Sequence, residues 1–140
     1  MLEKAKAFIE GKGFTVMYKP TVEGLFGYVN SLKQLVLKEG QDTAQSLATL
    51  IHEIGHALLG HLEDAHKARD QRELEAESVS WIVCRNLGLD VDEAAFRYMA
   101  AWSRNDAMEV KLGRAAQRAA EVAQVILKGL GANGHQTERG

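Results

Sequence analysis

A single cysteine, Cys84, excludes an intrachain disulfide and points to a reducing compartment. No apolar run approaches the roughly 18 residues of a membrane span, and Met1 to Glu10 lacks the basic-then-apolar pattern of a secretion signal. The expected location is the cytoplasm, with no membrane partner. Charge of neither sign dominates: 17 Lys and Arg face 19 Asp and Glu, a net charge of -2. That balance argues against general affinity for nucleic acid, so direct nucleic-acid binding is not expected. There is no internal repeat. At 140 residues of ordinary composition the chain reads as one domain, residues 1–128, large enough to bury a core. Residues 129–140, rich in Gly, Asn, Gln and Thr, read as a frayed tail.

What is present is concentrated in His52-Glu53-Ile54-Gly55-His56. Between Asp42 and Leu59 there is no proline, and Asp42 or Thr43 is suited to cap a helix. Leu47, Leu50, Ile51, Ile54 and Leu58 form an apolar back, and His52 and His56 stand on the opposite front. At about 100° per residue the two histidines lie about 40° apart, one turn above the other, so both imidazoles can reach one metal ion. Glu53 projects to the side of that ion, where a carboxylate serves as general base. Gly55 reads as a point of close packing against another element.

A second helix is expected from Arg72 to about Leu87, stopped by Gly88. On its wheel Glu73 and Glu77 share a face with Ala76, Ser80, Val83, Cys84 and Leu87, while Glu75 falls about 200° from Glu73. Unpaired carboxylates on an apolar face are costly, so Glu73 is assigned as the third ligand and Glu77 as an acceptor that orients a ligand imidazole. Glu75 reads as a solvated residue complementing the helix dipole. His61 and His66, in the polar stretch between the two helices, read as solvated or structural histidines and remain the rivals of Glu73. Cys84 reads as buried and inert.

The segments HEIGHALLGH and RELEAESVSWIVCRNLGLD together resemble the zincin domain of the ImmA/IrrE family of metallopeptidases, over roughly Leu35 to Trp102. They are similar too to the metallopeptidase half of ArdC-type antirestriction proteins. In that group the second helix carries Glu-x-x-Ala followed by Asn or Glu, which Glu73, Ala76 and Glu77 match. The resemblance implies a gluzincin-like site with one Zn2+ per chain on His52, His56 and Glu73, and Glu53 catalytic. Glu77 stands where ImmA-type proteins usually have Asn, and Val79-Ser80 where they have Phe-Ala, which brings the chain nearer the ArdC-like branch.

The expected fold is therefore α+β and zincin-like, with a small N-terminal antiparallel sheet followed by a mainly helical part. Leu2 to Glu10 reads as an amphipathic helix. Phe14 to Tyr18, Leu25 to Val29 and Leu35 to Lys38 read as strands, the last two a hairpin through Asn30 to Lys33. Tyr18 and Tyr28 read as sheet-face packing residues. Further helices are expected over Asp90 to Trp102, where core packing is favoured for Tyr98 over an oxyanion contact, and over about Ala107 to Lys128. The expected function is hydrolysis of peptide bonds in a specific intracellular protein, a transcriptional repressor being one candidate. The alternative is a non-catalytic metal-binding regulatory or antirestriction module that acts by occupying a partner.

Overall fold

A computed structural model describes residues 1–62, 69–89 and 106–131. Helix α1 (Leu2–Glu10) leads into β1 (Thr15–Lys19), β2 (Gly27–Val29) and β3 (Gln34–Lys38). Then come α2 (Thr43–Leu58), α3 (Arg69–Asn86) and α4 (Asp106–Gly129). The α+β class holds. The segment expected to form a helix over Asp90 to Trp102, with Tyr98, lies outside the described residues, as do His66 and residues 132–140.

The sheet is mixed rather than antiparallel. Its order is β1-β3-β2, with β3 parallel to β1 and antiparallel to β2. The physical reason lies in β3, whose Leu35, Val36 and Leu37 are all buried. A strand apolar on both faces is a central strand. Because β2 folds back on β3 as a hairpin, the strand that fills the other side of β3, β1, runs parallel to it. The hairpin is closed by Asn30, whose Oδ1 accepts from the Leu32 and Gln34 amides, with Lys33 in the left-handed region at φ 59°. Tyr18 and Tyr28 do not pack inward: they are 41% and 36% exposed, on the two edge strands.

Helix α2 is the axis of the core. Asp42 caps it, its side chain accepting from the Gln45 amide at 2.8 Å. Its Leu47, Leu50, Ile51 and Ile54 are buried among Ile9 of α1, Leu35 and Leu37 of β3, Val79 and Val83 of α3 and Ile126 of α4. The packed chain continues to Leu130, which is 3% exposed.

Strand β2 lies hard against α2 at Gly27. A Cβ there would stand 2.7 Å from Thr49 Cγ2 and 2.8 Å from the Val36 carbonyl oxygen, and the latter cannot move aside. Gly27→Ala is therefore expected to lever β2 away from α2 and to cost about 1–3 kcal/mol, as overpacking does. Urea unfolding with an unchanged midpoint would contradict this.

Candidate metal centre

Two helices build the site. The period of α2 sets His52 and His56 one turn apart, and their rings meet edge to face with centroids 4.8 Å apart. Helix α3 crosses this face closely because Gly55 has no side chain: a Cβ there would stand 3.3 Å from Val79 Cβ and 3.5 Å from the Ala76 carbonyl oxygen. The close crossing brings Glu73 to both imidazoles. Its Oε1 lies 3.3 Å from His52 Nε2 and its Oε2 lies 2.9 Å from His56 Nε2. One turn on, Glu77 Oε2 lies 3.6 Å from His52 Nδ1.

These groups lie close enough together to hold one metal ion. One nitrogen from each histidine and a carboxylate oxygen of Glu73 all lie within 4.8 Å of one another. Donor atoms about 2.1 Å from a tetrahedral ion stand about 3.4 Å apart, and each Glu73 oxygen lies near that distance from one imidazole, Oε1 from His52 and Oε2 from His56. The donor chemistry also fits, since two imidazoles and one carboxylate leave a fourth position open.

Electrostatics tie the three groups together. Hydrogen bonds with His52 and His56 hold the Glu73 carboxyl well below the usual carboxylate range. Burial would by itself lower His52, but the Glu73 hydrogen bond and the charges of Glu77, Glu53 and Glu73 outweigh it and raise His52 above 6.5. A ligand imidazole must shed its proton to bind a metal. Zinc affinity is therefore expected to fall as the pH drops, beginning above the pH at which an ordinary histidine would protonate. Competition titrations at pH 8.0, 7.0 and 6.0 check this, and a constant affinity across the three would contradict it.

Glu53 is 8% exposed, and burial pushes its carboxyl up despite the two histidines. It faces a cleft of about 300 Å3 together with His56, Glu73, Arg72 and the strand residues Gly27 and Tyr28. Edge strand β2 thus borders the same space as the donor set.

The sequence pattern agrees with this geometry across most of the chain. Residues 10–131 match the model of the IrrE N-terminal-like domain, peptidase family M78. The chain belongs to this family. An uncharacterized protein of Bacillus anthracis is 33% identical over 98 residues, which cover 68% of this chain and 17% of the relative. The chain therefore spans less than a fifth of that relative's length. No solved structure matches.

In this M78 domain the sequence expectations for His52, Glu53, His56, Glu73 and Glu77 fall on residues that the fold gathers within one small region. Glu75 departs from its expectation, and His61 takes the structural one of its two readings. Glu75 is not solvated: it is 4% exposed, and its Oε1 lies 2.7 Å from His61 Nε2. Helix α3 is covered on more than one side, with Leu74, Glu75, Ala76, Ser78, Val79 and Ser80 all buried. His61 is 5% exposed, and its Nδ1 lies 2.8 Å from His56 Nδ1.

A signal for this contact exists in the sequence. Gly60 adopts φ 78°, the His61 amide donates to the His56 carbonyl, and the Gly60 amide donates to the Ala57 carbonyl. This is a Schellman ending, which sets the second residue past the cap Leu59 against the third from the helix end. Here those residues are His61 and His56. Cys84 is buried as expected, and burial raises its thiol.

Proposed function

We propose that the chain is a zinc-dependent metallopeptidase that hydrolyses peptide bonds of a specific intracellular protein, with one Zn2+ held by His52, His56 and Glu73. The observation that carries this reading is the gathering of three metal donors beside a buried carboxylate, Glu53, in a cleft bordered by an edge strand. Membership of a metallopeptidase family supports it. So does the direction of His61, which meets His56 at Nδ1, while Glu73 meets it at Nε2. That arrangement suits a three-ligand site with an open position better than a closed structural site.

A bound Zn2+ supplies Lewis acidity, polarising a substrate carbonyl and lowering the pKa of water toward about 7. The rest is the work of this chain's side chains. Glu53 accepts the proton of the attacking water and later gives it to the leaving amine. The position of its carboxyl suits that exchange, since burial already favours the protonated form more than water would. Glu77 orients His52 from the Nδ1 side.

The substrate is held as an added strand on β2, whose outer edge is unpaired by β3 and whose residues border the cleft. Leu25, Phe26 and Tyr28, 37%, 49% and 36% exposed around that strand, suit apolar substrate side chains. A repressor protein is one candidate substrate. Among the described residues no helix is long and apolar enough to cross a membrane.

The deciding experiment is metal content by inductively coupled plasma mass spectrometry on the purified chain and on Glu73→Ala. About one zinc per chain, falling to a small fraction in the variant, is the expected result. A parent chain that takes up no zinc at neutral pH would overturn the proposal.

A further inference from the structure

We propose that Glu75 and His61 are a positioning pair that fixes the ring tautomer and orientation of His56. This rests on the reading of His56 as a metal ligand, and it assigns a purpose to two buried ionisable groups beside the site.

Glu75 is a carboxylate with a side-chain exposure of 5%, against a His61 side chain exposed by 2%. A carboxylate so buried must be satisfied by donors. Its Oε2 accepts from Gln71 Nε2 at 3.1 Å, and its Oε1 lies 2.7 Å from His61 Nε2. With Glu75 ionised, this contact is made by a proton on His61 Nε2, and in the neutral ring Nδ1 is then an acceptor.

That acceptor lies 2.8 Å from His56 Nδ1. Two ring nitrogens at this distance form a hydrogen bond only if one bears the proton. With a metal on Nε2 a neutral His56 carries its proton on Nδ1 and donates it to His61, so its ligating lone pair lies on Nε2. This is the nitrogen that faces Glu73, 2.9 Å from its Oε2.

The order of groups is thus Glu75, His61, His56 and then the metal position, with every proton pointing back toward Glu75. The wrong tautomer of His56 would put a proton where the metal has to be. The negative end of the series also raises the basicity of the ligand nitrogen, as a carboxylate behind a ligating histidine does. A histidine is thus interposed between the carboxylate and the ligand. Its backbone is locked by the Schellman ending, and its ring is clasped between α2 and α3. His52 has no such support in depth, since Glu77 is 44% exposed and 3.6 Å away.

The test uses the full chain with two readouts. Long-range 1H–15N NMR of the histidine rings at pH 8 in the zinc-loaded protein is expected to show His61 protonated at Nε2 and His56 at Nδ1. Finding His61 protonated at Nδ1 overturns the proposal, and this measurement needs no variant to fold.

Zinc affinity by chelator competition is the second readout. His61→Phe is expected to weaken binding 10–100-fold. His61→Gln, whose amide oxygen can accept from His56 Nδ1, should recover part of that loss. A folded His61→Phe chain binding zinc within twofold of the parent overturns the proposal while leaving the metallopeptidase reading intact. A parent chain without zinc affinity overturns both readings together.

Discussion

Glu53→Gln is expected to keep about one zinc per chain and to lose about 10²- to 10⁴-fold in the rate of peptide hydrolysis, the range that a general acid–base group contributes. Gln has the shape of Glu, so the 8%-exposed site should accommodate it without repacking. What it lacks is a group that can take a proton from water. The measurement pairs metal content with turnover of a cleavable substrate, and full activity in the variant would falsify the mechanism.

The same substitution carries a second expectation, on the stability of the zinc-free chain. Burial raises the Glu53 pKa in the folded state. A raised pKa contributes stability that is fully present below the unfolded value, about 4.3, and is lost as the pH rises through the folded value. The neutral Gln escapes that loss. In the presence of a chelator the variant should therefore be the more stable chain at pH 7.5, and the difference should shrink toward pH 4. Urea midpoints at the two values check it.

The grouping of His52, His56 and Glu73 was legible in the sequence because helical periodicity fixes angles within one helix without reference to the rest of the fold. His52 and His56 fall on one front, and Glu73 with Glu77 on one face of the next helix, whatever packs against them. Periodicity does not say how many faces of a helix are covered. Helix α3 meets both α2 and α4, so a residue about 200° from Glu73 is still buried, and Glu75 was read as solvated for want of that fact. The cue to its partner lay in Gly60, which ends α2 in a way that returns His61 to His56.

The sheet shows a similar limit. The alternation and turn residues gave the hairpin between β2 and β3, but pairing across the molecule, β1 on β3, is not a local property. Its trace was the uninterrupted Leu35-Val36-Leu37, an apolar run that fits a strand with neighbours on both sides.

Gly55 joins the fold to the chemistry, and a large side chain there is expected to damage both. In a helix interior Gly is about 1 kcal/mol less favourable than Ala, so its presence needs a reason in packing. The reason is the approach of α3, which leaves 3.3 Å between a built Cβ and Val79 Cβ. Gly55→Ala should thus be nearly neutral, a gain in helix propensity set against a tight contact. Gly55→Leu adds three further carbons where Val79 and the Ala76 carbonyl stand, and neither can withdraw without moving α3. A loss of at least 1–3 kcal/mol is expected, the ordinary range for overpacking.

The further consequence concerns geometry. His52 and His56 belong to α2 and Glu73 to α3, so a wedge between the helices widens the donor set from the side of its third ligand. Zinc affinity should fall steeply in Gly55→Leu even under conditions where the chain remains folded by circular dichroism, while Gly55→Ala binds zinc as the parent does. If Gly55→Leu were folded and bound zinc normally, the separation of α2 and α3 could not be what holds Glu73 to the histidines.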